Sequence, residues 1–416
     1  MQMFTGWQYL LIDVANNHFS GLDKKTFDER LDWVNANLDR LEEEAEDRTW
    51  KERPMYLKAC MAVRTAQEGK PTGHMVGFDA ICSGIQIMSA ISGCKVGAEA
   101  TGLVDPNRRA DAYADCTRIM SNKLGVQLPN MRKHVKAALM THFYGSKAEP
   151  KKEFGDDTPE LQAFYEAAFE LAPGAGSLLD AFLASWQPFA LSHDWVLPDG
   201  FEAHVKVMQA REHRIEVDEL NHSTFTYVWY ENEGEERGVK NAANVVHSID
   251  AYVLRCLVRR CSYDLELMRW AEQALDHVTL GRELGVTSQA TGADAQLQKY
   301  IDLYEKTQMP DVVILNHMGD EDFQYLSDRH LQQLQSLVAQ MLQHKPFEIV
   351  TVHDDFKCHP NHMNWLRMHY RNILADLADS TIVQDILTQL FNEPVAFHKY
   401  STDLSRYIRR ANYALS

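Results

Sequence analysis

Two aspartates and one stripe of cations carry the chemistry this sequence can do. Asp79 closes the apolar run HMVGFD, and Asp354 follows FEIVTVH, so each carboxylate stands where an apolar strand meets a polar turn. Carboxylates at adjacent strand ends can hold two magnesium ions roughly 3.5–4 Å apart, one serving an attacking hydroxyl and the other the leaving phosphate oxygens. Mg²⁺ takes hard oxygen ligands and keeps several waters, so two aspartates, a backbone carbonyl and substrate phosphates suffice. The spacing alone leaves a second reading open. In it both aspartates are turn formers or helix caps, His353 is a hydrogen-bonded strand-end histidine, and Asp355 is a solvated neighbour.

The stripe lies in RKHVKAALMTHFYGSK (132–147), where Arg132, Lys136, Met140 and Tyr144 recur every four residues and Gly145 follows at once. On a helix such a row drifts by about 40° per step and forms one slowly winding band. Arg and Lys on successive turns can grip a triphosphate, one through a forked donor set and the other as a point charge. Tyr144 offers a flat ring for a base and a hydroxyl near a sugar, and Gly145 lets backbone pass close to a strand. A solvated basic edge beside a packed apolar stripe is the competing reading. CHPNHMNWLRMHY (358–370) contains the zinc-ligand types Cys358, His359, His362 and His369, but lacks a matched Cys or His pair elsewhere.

These residues need a frame. The first 50 residues carry apolar positions at helical spacing, and GKPTG (69–73) then turns into the HMVGFD strand. A small-residue helix follows Asp79. Another helix is expected over DPNRRADAYADCTRIMSNKLG, with Asp105 and Pro106 as its start, and the stripe helix comes next. Residues 148–200 read as mostly helical, closed by LPDG. Residues 203–230 alternate in β fashion and predict a protruding hairpin or small sheet. Helix returns over 241–263, and 264–345 is an acidic, Gln- and Leu-rich helical stretch. FEIVTVHDD reads as a strand ending abruptly in His and two carboxylates, and the rest is helical.

The 416 residues are 45% hydrophobic and 24% charged, ordinary for a soluble globular chain. No apolar run approaches the roughly 20 residues of a membrane span, and the N-terminus lacks the pattern of a signal peptide. Seven scattered cysteines read as reduced cytosolic thiols. A net charge of −17 argues against a wholly basic nucleic-acid face, yet acidic blocks such as LEEEAED and YENEGEER can set that total while a cleft stays basic.

Together the pieces resemble the single-subunit RNA polymerases of bacteriophages and mitochondria. FDAICSGIQIMSA resembles their motif A, D-G-S-C-S-G-I-Q-H. RKHVKAALMTHFYGSK is similar to motif B, R-x3-K-x3-M-T-x2-Y-G-S, at every named position. VTVHDDFKCHP is similar to motif C, H-D-S-F-x3-P, and NVVHSIDAYVLR to a further segment, N-x-V-H-S-x-D-x3-L-R. The resemblance implies DNA-templated RNA synthesis on an α+β, mainly helical, right-hand fold with a small antiparallel palm sheet. Asp79 and Asp354, with the Ala80 carbonyl, would bind two Mg²⁺ ions. Arg132 and Lys136 would hold the incoming ribonucleoside triphosphate, with Lys136 also helping to protonate the leaving pyrophosphate. Tyr144, with His247, would favour ribose, and His353 would position the primer end. Met140-Thr141 is the RNA-polymerase form of motif B; related DNA polymerases carry an aromatic residue there.

The implied organisation is palm over 1–104, fingers over 105–246 with a promoter-type hairpin near 203–240, and palm again over 247–416, interrupted by a helical insertion at 264–345. Departures are Ala80-Ile81 in place of Gly-Ser, Ile87 in place of His, and Asp355 in place of Ser. The family's N-terminal domain, thumb and D-x2-G-R element have no counterpart here. A second polypeptide is therefore expected to supply them, as in some podoviruses, alongside template DNA and nascent RNA and with no membrane. That parallel places the chain in the cytoplasm of an infected bacterial host and predicts a sizeable exposed apolar surface. The competing identities are a family A DNA polymerase fragment and a non-catalytic nucleic-acid-binding subunit.

Overall fold

A computed structural model describes residues 1–46, 48–285 and 292–416. The fold is α+β and mainly helical, with three small antiparallel sheets among the described residues. Near the N-terminus, α1 (Gly6–Asn16) and α2 (Phe27–Ala36) each start at a reciprocal cap, Thr5 with Gln8 and Thr26 with Glu29. They pack with α3 (Arg53–Gln67) beneath β1 (Val76–Asp79), whose Val76 and Phe78 point into the main core.

Cys82, in the left-handed region at φ +54°, turns the chain sharply from β1 into α4 (Ser83–Ser92). This small-residue helix is buried throughout and tied at its centre. Gln86 Nε2 donates to the carbonyls of Thr101 (2.9 Å) and Ala414 (3.0 Å), and Gln86 Oε1 accepts from the Tyr370 hydroxyl (2.9 Å). After α5 (Lys95–Ala100), the helix expected from Asp105 starts later, as α6 (Ala112–Leu124). Asp111 is its true cap, its side chain accepting from Ala114 N–H at 3.1 Å, while Asp105 only closes a local turn onto Asn107.

The stripe helix is α7 (Arg132–His142). Val135, Ala138 and Leu139 form its buried face. Helices α8 (Ala148–Phe154), α9 (Pro159–Leu171) and α10 (Pro173–Ala184) follow, but the expectation of helix up to residue 200 is wrong at its end. Residues Ser192–Val196 form β2, paired with β3 (Glu202–Lys206) across the LPDG turn. Trp195 and His193 alternate inward with period two, a pattern too short to compete with the neighbouring helices in the sequence. The predicted protruding hairpin is present as β4 (Met208–Val217) and β5 (Ser223–Asn232), paired over ten positions. Exposed Phe225, Tyr227, Val228 and Tyr230 make it part of the apolar surface that the chain displays, and Val350 and Val352 on an edge strand add to that surface.

Helix α11 (Lys240–Cys261) enters the main core. The stretch 264–345 then builds a second hydrophobic core of its own from α12 (Leu265–Glu283), α13 (Ala295–Thr307) and α14 (Asp328–Met341). Residues 286–291 of that stretch lie outside the described residues. The ends of this module meet, because Phe347 N–H donates to the Cys261 carbonyl at 2.9 Å and the Tyr263 hydroxyl donates to the Met341 carbonyl at 2.9 Å. A largely buried ion pair fastens it to α11, with Arg259 Nε donating to Asp311 at 2.9 Å. The next residue, Arg260, ties α11 instead to the main core, its Nη2 donating to Asp376 on α15 (Met363–Asp379) at 2.9 Å. Burial works to raise the Asp311 pKa, but Arg259 outweighs it and holds the carboxyl below the ordinary value.

Beyond the module, β6 (Ile349–Val352) and β7 (Asp355–Cys358) form a hairpin. The expected single strand ending in His and two carboxylates is corrected: His353 and Asp354 are the two-residue turn, and Asp355 opens the second strand. A turn of that length requires a left-handed first residue, and His353 sits at φ +55°. Strand β7 is central, in the order β1-β7-β6. Helices α15, α16 (Ile382–Phe391) and α17 (Leu404–Ile408) complete the main core. All seven cysteines are free thiols. No helix among the described residues is long and apolar enough to cross a membrane.

Replacing Asp311 by Asn leaves the Arg259 charge short of its buried partner. It is expected to lower stability by about 3 kcal/mol, read from the urea midpoint. An unchanged midpoint would show that the ion pair does not hold the module in place.

Candidate active site

Strand pairing brings the two aspartates together. Asp79 faces Asp355 directly across the β1–β7 ladder, and directly opposed residues share one face of a sheet. Ala80 N–H donates to the Asp354 carbonyl at 3.0 Å, so the turn carrying Asp354 is pinned to the end of β1. On the other side, Ser416 N–H donates to the Asp79 carbonyl at 3.0 Å and Leu415 bridges Ala80. The backbone around Asp79 is thereby held from both sides.

Three carboxylates so placed repel one another. Asp79 opens onto solvent in the cleft, yet the surrounding protein mass, then Asp355, then Asp354 push its pKa up to about 6. Burial likewise raises Asp354, with its own backbone N–H working against the rise. Asp355 is not the solvated neighbour of the sequence reading. Its carboxylate pairs with Lys357 Nζ at 2.9 Å, on the sheet face that Gly77 leaves bare. A Cβ at Gly77 would stand 2.7 Å from Asp355 Oδ1, so the glycine makes room for that pair. Concentrated carboxylate charge beside only part of the cation charge needed to balance it is what a divalent ion would relieve. The tightest potential ligand group among the described residues lies elsewhere, at the exposed tip of the β4–β5 hairpin. There the ligand atoms of Glu216, Asp218 and His222 lie within 4.8 Å of one another, all three exposed. Of the zinc-type residues, His369 is buried against His344 at 2.7 Å rather than gathered with Cys358, His359 and His362.

The cations come from α7. Arg132 Nε donates to Asp111 Oδ2 at 2.8 Å, and the same carboxylate caps α6. The Tyr113 ring lies under both cations, 5.4 Å from the Arg132 guanidinium and 5.6 Å from Lys136 Nζ. Lys136 is exposed and makes no ion pair among the described residues. Asp79, Ala80, Asp354, Asp355, Arg132, Lys136 and Met140 line one cleft of about 640 Å³.

Tyr144 is placed differently from the sequence reading. The helix ends at His142, and Tyr144 lies in the turn beyond it, its N–H bonded to the Thr141 carbonyl at 3.1 Å. Gly145 follows at φ +89°, a conformation that suits glycine; a Cβ there would meet nothing closer than 3.6 Å, so backbone freedom rather than clearance is its evident requirement. The turn swings the Tyr144 ring onto His247 of α11, with centroids 4.7 Å apart and planes at 35°. This pair and His353 are outside the residues lining the main cleft.

Several residues of the site escaped the sequence reading. Asp250 lies one turn after His247 on α11; burial, followed by the Asp354 charge, pushes its pKa up to about 6. Its place in the N-x-V-H-S-x-D segment was the available signal. Asp111 escaped because Asp105-Pro106 reads as the helix start, although an aspartate just before AYADCTRIM was the available cap signal. Lys24, Arg109, Tyr113, Lys357 and Ser416 also line the cleft and had no local signature.

A carboxylate sheet turn faces a cationic helix across one cleft. Residues 4–153 match the family model described as DNA-dependent RNA polymerase. The mitochondrial DNA-directed RNA polymerase of Neurospora crassa is 25% identical over 167 residues, covering 34% of this chain and 12% of that protein. In Arabidopsis thaliana, DNA-directed RNA polymerase 1, mitochondrial, is 28% identical over 124 residues (27% and 13%). DNA-directed RNA polymerase 2, chloroplastic/mitochondrial, is 27% identical over 209 residues (39% and 20%). The resemblance to single-subunit DNA-directed RNA polymerases therefore stands, at low identity, over part of the chain. The matches span an eighth to a fifth of the length of these relatives. The expected location in an infected bacterial host is overturned by these same relatives, which are mitochondrial or chloroplast polymerases of a fungus and a plant.

Asp79 has a folded pKa of about 6 against an ordinary 3.8. The folded state therefore binds the proton more tightly, and its stability falls as pH rises through that window. In chelator, Asp79→Asn is expected to melt above the wild type at pH 7.5, with the difference shrinking toward pH 4. Equal melting temperatures at pH 7.5 would contradict the charge clustering.

Proposed function

We propose that this chain carries the palm and fingers of a DNA-directed RNA polymerase and catalyses templated ribonucleotidyl transfer. The observation that carries the reading is a single cleft lined by Asp79 and Asp354 on one side and Arg132 and Lys136 on the other. In this reading, residues 1–104 and 247–416 are palm, 105–246 are fingers, and the module at 264–345 is an insertion in the second palm segment. Asp79 and Asp354, with the Ala80 carbonyl, would hold two Mg²⁺ ions, which when bound supply an activated hydroxyl and charge stabilisation at the phosphate.

The chain's own groups do the rest. Arg132, oriented by Asp111, and Lys136 bind the triphosphate, and the Lys136 ammonium helps to protonate the departing pyrophosphate. Tyr144 and His247 present a ring and an imidazole on the ribose side, and His353 holds the primer end. A second polypeptide supplies the promoter-binding domain, the thumb and the D-x2-G-R element, and it covers apolar surface of this chain.

The test is primer extension on a DNA template with ribonucleoside triphosphates, with and without the chain that co-purifies from the native source. Asp354→Asn is expected to abolish synthesis. Lys136→Ala is expected to lower kcat/KM by on the order of 10²–10³-fold, as for loss of a charged transition-state contact. Undiminished synthesis by Asp354→Asn would sink the reading. Efficient deoxyribonucleotide incorporation would favour a family A DNA polymerase instead, and full activity from this chain alone would remove the second polypeptide.

A further inference from the structure

The geometry points to Gly84 as the positioning residue that sets where the Tyr144 ring stands, and through it the ribose selectivity of the site. The inference rests on the reading of Tyr144 and His247 as the ribose-side pair. Gly84 lies in the first turn of α4 and is buried. A Cβ there would stand 2.5 Å from Tyr144 Oη and 3.0 Å from Cζ, closer than side-chain atoms tolerate. Tyr144 therefore rests its hydroxyl end directly on the α4 backbone, in space that only a glycine leaves open.

Neither support of the ring yields easily. Helix α4 is anchored through Gln86 to Thr101, Ala414 and Tyr370. On its other side the ring meets His247, on a long helix that is itself tied down by buried arginine pairs. A methyl group at residue 84 would have to move the ring by roughly 1 Å to restore ordinary contact. The movement would disturb the stack on His247. Glycine's conformational freedom is not the reason for its presence, since Gly84 is not among the positive-φ glycines. Alanine is also the better helix former, so a loss of function in Gly84→Ala is not a backbone defect.

Two measurements test this. In the first, the ¹H–¹³C resonances of the His247 imidazole are followed in ring-labelled protein, because the Tyr144 ring current shifts them. Gly84→Ala is expected to move them in the direction that Tyr144→Ala does, in a protein that remains folded by circular dichroism. Unmoved resonances overturn the proposal whether or not the chain makes RNA. In the second, the ratio of ribo- to deoxyribonucleotide kcat/KM is expected to fall on the order of 10-fold in Gly84→Ala. The further loss that Gly84→Ala causes should be smaller in a Tyr144→Phe background, where the hydroxyl that makes the 2.5 Å contact is gone. Wild-type selectivity in Gly84→Ala, or strict additivity of the two changes, also overturns it. Failure of the wild type to synthesise RNA would instead count against the polymerase reading, with the resonance test still deciding the packing claim.

Discussion

The site depends on one antiparallel pairing. Strand β1 comes from the first fifth of the chain and β7 from the last, and their ladder places Asp79 opposite Asp355 with Asp354 in the adjoining turn. Like charges in that relation repel, so the ladder forms against electrostatics rather than with its help. What holds it is apolar: Val76, Phe78, Phe356 and Cys358 are buried in the main core. Packing thus supports a charge arrangement that the carboxylates alone would not adopt, at a cost in stability that a functional site commonly carries.

The elements around the ladder serve the same end. The Ala80 and Ser416 amides fix the Asp79 backbone, and the Gly77 gap admits the Lys357–Asp355 pair, which offsets part of the cluster's negative charge. Across the cleft, Asp111 does two jobs with one carboxylate, capping α6 and orienting Arg132, so the start of one helix and the cation of the next are set together. The module at 264–345 stands apart from this economy. Its separate core and closed ends let it sit in the connection between α11 and β6.

Local patterns made much of this readable. Asp79 after an apolar run, the period-four cations of α7 and the alternating residues of β4 and β5 each declared an element whose structure matches. Errors arose where short-range signals competed. DPN looked like a helix start, but Asp111 has the cap geometry. FEIVTVHDD looked like one strand, because a two-residue turn built from His and Asp lacks the glycine or asparagine that usually announces it. β2 was lost between helices because five residues of alternation carry little weight. Tyr144 was placed on the helix because the four-residue spacing continues through the point where the backbone stops being helical.

The sequence by itself determined the chemical types available: two acidic strand ends, a row of cations, a tyrosine followed by a glycine. Those are properties of neighbouring residues, and neighbouring residues dictate periodicity, caps and turns. Only the tertiary structure decided which of them meet. The pairing of Asp79 with the Asp354 turn, the seating of Tyr144 between Gly84 and His247, and the approach of Asp250 to Asp354 each join segments far apart in the chain. Such meetings are set by burial of a shared core, a sum over many side chains that no single stretch of sequence displays.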